Sequence, residues 1–455
     1  MIEQDDGFSG IFTSKSDSIY IMGDIHGDYQ CFIHCLVDLC QTCSVTELID
    51  DTEFNYMDRE ILEWNPGCSS TVVFCGDLIH RKRFADHVLD DECSDIYIIK
   101  TLLRLKKDAI KNNGNIIIIS GNHEIMSLLQ PDENVYTSPK NLAANLRFFT
   151  DKKFINEYIK NSYAWIKIND ILITHGGLCS DYLDFIDTSG TDLSNMDVVK
   201  FINDKYHEYF TNFNYKDTRK DKVGYNLFIE YDTDNKKKHN MFWCREWGYS
   251  GIDCDKYKKI LSQVECTKMI IAHCPQFLSP DKPKMINFEC KDNTNTNIFN
   301  LARIDLGMSR SFDYNKETNF MYYLNNNYNR KMSVLKLSIK DDDTLYFNTE
   351  GIITHKLSCI QYLLLKYGLK KSDWTKKNID TDWIGFKYIN TVIDKRKPPA
   401  CDVNITQTKF VSRSERAQPF DDPNSKSVIM CLLFPLISIG VDTITSINEY
   451  HALLE

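Results

Sequence analysis

Five times along this chain a short, continuously apolar run rich in β-branched residues stops at a glycine- or proline-containing loop bearing a group that can ligate a metal. The runs are residues 18–22, 71–75, 116–120, 171–174 and 269–272. Unbroken apolar character is what a strand covered on both faces requires. Helix-like segments at 29–39 and 94–111 alternate with these runs. The repeated order of strand, loop and helix specifies a layered α/β domain. Strand ends of such a domain bring residues distant in sequence to one rigid place. Further strands are expected at 299–304, 333–339 and 344–347, closing the domain in a hairpin-like meander near residue 350, with Asp341, Asp342 and Asp343 as its turn.

The 455 residues are 42% hydrophobic, enough for one large core plus an appendage. A net charge of -10 argues against broad attraction to extended nucleic acid or an anionic membrane. No apolar stretch of signal-peptide type opens the chain, and the apolar run at 427–441 is too short for a membrane span and contains Pro435. The 16 cysteines are scattered, many within apolar runs, and read as core thiols in a reducing compartment, without disulfides. Cys31, Cys35, Cys40 and Cys43 include one CxxC pair without a second, which favours a helix with buried thiols over a zinc ribbon. Residues 178–240 lack alternation and suggest a helical or irregular insertion. A compositional change from about 357 to 397, followed by Arg396-Lys397-Pro398-Pro399, suggests a linker or turn. The expected organisation is therefore an N-terminal segment 1–17, a catalytic domain 18–350 and a C-terminal extension 351–455.

The chemistry lies on the loops. Gly23-Asp24-Ile25-His26-Gly27-Asp28 follows the first run, with Asp24 and His26 directed to one side. Gly76-Asp77, Gly121-Asn122-His123-Glu124, His175-Gly176-Gly177 and His273-Cys274-Pro275 follow the others. A lone histidine at a strand end is usually structural. Carboxylate, amide and imidazole donors at five successive strand ends instead suit a divalent transition ion.

These loops resemble the GDxHG, GDxxDRG, GNHE and HGG motifs of calcineurin-like metallophosphoesterases, in the order of the phosphoprotein phosphatase branch. Trp243-Cys244-Arg245 and Ile304-Asp305-Leu306-Gly307 resemble the W-x-R and I-D-x-G segments of its bacterial, phage and Shewanella-like members. The resemblance spans about residues 18–350. It implies a four-layer αββα sandwich with two central mixed β-sheets, and two divalent ions, manganese favoured over iron or zinc. Asp24 and His26 would hold one ion, Asp77 would bridge, and Asn122, His175 and His273 would hold the second. Between them the ions would share a hydroxide that attacks phosphorus in line. His123 would protonate the leaving oxygen, while Arg81 and Arg245 would grip phosphoryl oxygens with paired hydrogen bonds.

The second loop departs from the pattern: Gly76-Asp77-Leu78-Ile79-His80-Arg81-Lys82 has His80 where the family has the aspartate that pairs with the GNHE histidine, and Lys82 in place of glycine. A histidine partner lacks the negative charge that favours imidazolium. Activity should survive with a pH optimum below that of His80→Asp, and indistinguishable pH–rate profiles at equal metal content would contradict this. Ala272 replaces the family's usual glycine before the last metal histidine.

The resemblance implies a metal-dependent phosphoester hydrolase, with phosphoserine or phosphothreonine in proteins as favoured substrate. Alternatives are a nucleotide polyphosphate hydrolase or phosphodiesterase, and a pseudophosphatase that binds a partner. No membrane partner is expected, and a cytoplasmic location is. Abundant Asn, Ile, Lys and Asp, together with the phage-like segments, point to a viral or microbial source, hence a host cytoplasm or virion if viral.

Overall fold

A computed structural model describes residues 2–4, 9–14, 18–50, 58–82, 94–132, 136–180, 182–183, 197–213, 222–229, 240–276, 286–291, 299–309, 331–339 and 345–354. The expected turn at 341–343, the linker near 396–399 and the apolar run at 427–441 lie outside these residues. One compact unit comprises Met1–Glu47, Glu60–Asp313 and Arg330–Thr354, and the remaining residues form a second unit.

In chain order the strands are β1 (Ile2–Gln4), β2 (Ile11–Ser14), β3 (Ile19–Met22), β4 (Cys43–Asp50), β5 (Asp58–Trp64), β6 (Thr71–Phe74), β7 (Asn115–Ile119), β8 (Ser162–Tyr163), β9 (Trp165–Ile168), β10 (Ile171–Thr174), β11 (Lys268–Ile271), β12 (Asn287–Lys291), β13 (Phe299–Arg303), β14 (Lys331–Ile339) and β15 (Leu345–Thr354). They build two mixed sheets, ordered β1-β2-β9-β10-β11-β13-β12 and β15-β14-β3-β6-β7-β8, and a two-stranded β4-β5 ribbon. This is the layered α/β architecture with two central sheets that the loop motifs imply. Among the described residues no helix is long and apolar enough to cross a membrane.

Two groups of parallel strands position the site. In one sheet β3, β6 and β7 run parallel and in register, Met22 beside Phe74 and Phe74 beside Ile118, so their carboxyl ends are level. In the other, β10, β11 and β13 run parallel, Thr174 beside Ile271 and Ile271 beside Arg303. Side chains of β3, β6 and β10 are buried throughout. A buried isoleucine or valine contributes about 1.5–3 kcal/mol relative to an exposed one, so the strands are firmly seated.

Helix α1 (Tyr29–His34) continues into a π-helical turn, Cys35–Leu39. Cys31, Cys35, Cys40 and Cys43 are buried, as expected of a helix and its flanks. Helix α2 (Asp95–Lys111) packs on β7, and α3 (Asn122–Leu129) starts directly after it. Helices α4 (Pro139–Phe149) and α5 (Lys152–Asn161) follow, each opened by a side-chain cap, Ser138 and Asp151 respectively. The described part of the 178–240 insertion is helical, with α6 (Val198–Thr211) and α7 (Lys222–Phe228).

One expectation gains detail and one is corrected. Segment 1–17 contributes two strands, and β2 pairs with β9 through Ile11↔Lys167 and Phe12↔Ile168. The cysteines are not all free thiols: Cys179–Cys244 and Cys254–Cys290 are disulfides, with Cα separations of 5.9 and 5.4 Å. Scatter along the chain hid both pairs, because sheet topology brings together partners 65 and 36 residues apart.

Candidate metal centre

The loops after β3, β6, β7, β10 and β11 meet in one buried place. Asp24, His26, Asp77, Asn122, His175 and His273 are each at most 5% exposed. His26 Nε2 lies 3.5 Å from Asp24 Oδ2 and 3.8 Å from Asp77 Oδ2. His175 Nε2 lies 3.3 Å from Asp77 Oδ1 and 2.9 Å from Asn122 Oδ1. The main-chain N–H of His273 donates to Asp24 Oδ1 at 3.3 Å, and the His273 ring meets that of His175 with centroids 4.9 Å apart. Ligand atoms of His26, Asp77 and His123, and of Asp77, His175 and His273, form two groups within 4.8 Å that share Asp77.

The second nitrogens of two rings are tied to the main chain. Nδ1 of His175 contacts the carbonyl of Cys75 at 2.7 Å, and Nδ1 of His26 that of Ile79 at 3.2 Å. Such ties orient a metal-ligating imidazole and leave Nε2 as the donor atom. Burial pushes Asp77 up, but His123, His175 and His26 outweigh it and hold the carboxyl well below the usual range. For His175 burial acts downward and Asp77 prevails, so its value is raised.

The backbone is shaped for this convergence. His26, Asp77, His80 and His273 all have left-handed φ, at 47°, 51°, 71° and 65°. Such values are uncommon outside glycine and cluster at functional sites. Gly121 is required by space: a Cβ there would lie 2.3 Å from Asp77 Oδ1 and 2.4 Å from Asp77 N. A buried set of carboxylate, amide and imidazole donors with this cradle beneath it fits divalent cations.

The other expected site residues are distributed as follows. His123 lies in the same cluster, with Nε2 3.7 Å from Asp77 Oδ2 and its main-chain N–H donating to Asp77 Oδ1 at 2.9 Å. His80 Nδ1 is 2.7 Å from His123 Nδ1, so the histidine at the family's aspartate position keeps the pairing with the GNHE histidine. Arg81 is fully buried and donates to Ser309 Oγ at 2.9 Å; that hydroxyl in turn donates to the His26 carbonyl at 3.4 Å. Arg245 is exposed, with Nη1 3.8 Å from Cys274 Sγ and its side chain hydrogen-bonded to Tyr249.

Two supporting carboxyls were not among the expected site residues. Glu124 accepts from the N–H groups of Asp77, Leu78 and Gly121, and burial with Asp77 nearby pushes it up to about 7. Asp305, at the end of β13, is hydrogen-bonded to Asp24, and burial pushes it up to about 6. Glu124 stands two residues after Asn122, which was the available signal, whereas Asp305 had only its Ile304-Asp305-Leu306-Gly307 segment to mark it.

A donor cage at the carboxyl ends of two parallel strand groups, between two mixed sheets, defines the metallophosphoesterase class. Residues 18–244 match the model of the calcineurin-like phosphoesterase family, and the chain carries a domain of that family of phosphoester hydrolases. Over 169 residues it is 36% identical to Shewanella-like protein phosphatase 1 of Plasmodium berghei (strain Anka), covering 35% of this chain and 39% of that relative. A solved structure of a cold-active protein-tyrosine phosphatase from a psychrophile Shewanella sp. aligns with 14% identity and a TM-score of 0.45, covering 74% of this chain and 82% of its own, and a second cold-active protein tyrosine phosphatase structure aligns with the same identity and TM-score, covering 74% and 80%.

Proposed function

We propose that this protein is a metal-dependent phosphomonoesterase acting on phosphoserine or phosphothreonine in proteins. The observation that carries this is the meeting of six buried donors from five strand ends around Asp77, with His123 Nε2 on the same side. Asp24 and His26 would hold one divalent ion, Asn122, His175 and His273 a second, and Asp77 both, manganese being favoured over iron and zinc. Bound ions of this kind supply a water activated at neutral pH and Lewis-acid neutralisation of phosphoryl charge.

The remaining work falls to side chains. Arg245, exposed beside the cage, would bind a phosphoryl oxygen on an arriving substrate, and Arg81, buried beneath the His26 loop, would add positive charge. His123 gives its Nε2 proton to the departing serine or threonine oxygen, a contribution of about 10²–10⁴ for a positioned acid. The phosphatase name of the Plasmodium relative supports the protein substrate. The proposed place of action is a cytoplasm, that of a host, or the virion, if the source is viral.

The test is an assay of the full chain with manganese against phosphopeptides, dinucleoside polyphosphates and bis-p-nitrophenyl phosphate, with metal content measured in parallel. Preferred turnover of phosphopeptides, abolished by Asp77→Asn, is expected. Preference for either other substrate would reassign the enzyme to polyphosphates or diesters. Metal binding without turnover of any would leave a partner-binding pseudophosphatase.

A further inference from the structure

Position 80 carries a ring with two nitrogens, and both are engaged. Nδ1 faces His123 Nδ1 at 2.7 Å, and Nε2 lies 2.8 Å from Ser127 Oγ. His80, His123 and Ser127 are buried, at 4%, 4% and 2% exposure. Tyr136 stacks on the His80 ring and meets that of His123 edge-on, so it packs against both rings. Ser127 sits four residues after His123 on α3, on the same face of a rigid element.

The protons of this chain can be counted. Two ring nitrogens at hydrogen-bond distance share one proton, because two bare nitrogens repel and two N–H groups collide. If that proton belonged to His80, His123 would have a bare Nδ1 and would be neutral while holding a proton at Nε2. A neutral imidazole is a far weaker acid than an imidazolium. For His123 to release its Nε2 proton readily it must keep one at Nδ1 and donate it to His80. His80 then accepts through Nδ1, carries its own proton at Nε2, and needs an acceptor there.

We propose that Ser127 is that acceptor: its hydroxyl fixes the His80 tautomer whose Nδ1 lone pair receives His123, so that an uncharged Ser127–His80 pair orients the proton donor as a carboxylate at position 80 would. Ser127 is thus a positioning residue, and the inference rests on His123 being the proton donor. In the reaction the His123 Nε2 proton passes to the leaving oxygen, which takes both electrons of the broken P–O bond. His123 retains its Nδ1 proton, and no proton travels through His80 or Ser127.

Removing the hydroxyl leaves the buried His80 Nε2–H without its acceptor, which favours the other tautomer and reverses the bond to His123. Ser127→Ala should lower kcat about ten- to a hundred-fold on phenyl phosphate or a phosphoserine peptide, whose leaving oxygens need the proton. It should lower kcat much less on p-nitrophenyl phosphate, with KM little changed on all. Ser127→Thr should restore kcat. In an His80→Asp background, where the carboxylate accepts from His123 directly, Ser127→Ala should add no loss.

Nitrogen-15 histidine NMR of the zinc-loaded wild-type protein reads the tautomer without turnover. His80 protonated at Nε2 supports the proposal, and His80 protonated at Nδ1 overturns it. Equal losses on good and poor leaving groups, or the same loss in both backgrounds, also overturn it. If His123→Asn itself fails to discriminate between leaving groups, the assignment of His123 as proton donor falls, a result separate from the tautomer seen by NMR.

Discussion

Glu124 holds Asp77 by the main chain: Oε2 accepts from Asp77 N at 2.9 Å while also accepting from Gly121 N at 2.8 Å, and Oε1 accepts from Leu78 N at 2.8 Å. One carboxyl therefore braces the loop after β6 against the start of α3, fixing the proposed bridging ligand relative to Asn122. In Glu124→Gln one acceptor becomes an amide that faces N–H groups. The expected cost is about 1–3 kcal/mol of stability and about a 10- to 100-fold loss of metal affinity. Thermal melts and metal titration check this, and unchanged affinity would refute the bracing role.

Gly121 has an ordinary φ of -96°, so alanine is excluded by space and not by conformation. A Cβ at 2.4 Å from Asp77 N must displace backbone. Gly121→Ala should fold with a stability loss of about 1–3 kcal/mol, as overpacking does, and should purify with depleted metal. Elemental analysis at full wild-type stoichiometry would contradict the cradle.

Away from the cage, His207 is buried with its ring against Tyr163 and Tyr206, and burial, with Lys106 nearby, lowers it to about 4. A lowered histidine is protonated more readily in the unfolded chain, so its contribution is intact above about pH 6.5 and lost as pH falls through about 4. The whole effect is about 3 kcal/mol at most. Urea melts at pH 7, 5.5 and 4.5 should show a shallower decline for His207→Gln than for wild type, and parallel declines would remove His207 as the cause.

Cys179–Cys244 joins the loop after β10 to the segment bearing Arg245, and Cys254–Cys290 joins the first residue of a helix (Cys254–Ser262) to β12. Each closed loop should contribute about 2–4 kcal/mol by restricting the unfolded chain. Melting in the presence of a thiol reductant should therefore occur at a clearly lower temperature, with mass spectrometry confirming that both pairs open. An unchanged midpoint after both have opened would contradict the contribution.

The strands that feed the cage were legible because each is a continuous apolar run ending at a polar loop, and 171–174 coincides with β10. Strands β2, β8 and β9 were not: β8 is only two residues long and pairs with β7, far away in sequence, and β2 and β9 are short runs that end at no loop of the donor set. The metal donors were legible as residue types at strand ends. Their supports were less so: Ser127 is an unremarkable serine in a helix until the fold places His80 against it. The disulfides were hidden by the same non-locality.

Four residues of the centre, His26, Asp77, His80 and His273, hold the left-handed backbone that glycine adopts without penalty. For protein engineers this makes the constellation poorly portable. Copying the donor side chains onto the strand ends of another scaffold would reproduce the inventory but aim it wrongly, unless the host loops already tolerated four such twists. The instructions for aiming lie in main-chain torsions that a catalogue of ligands omits.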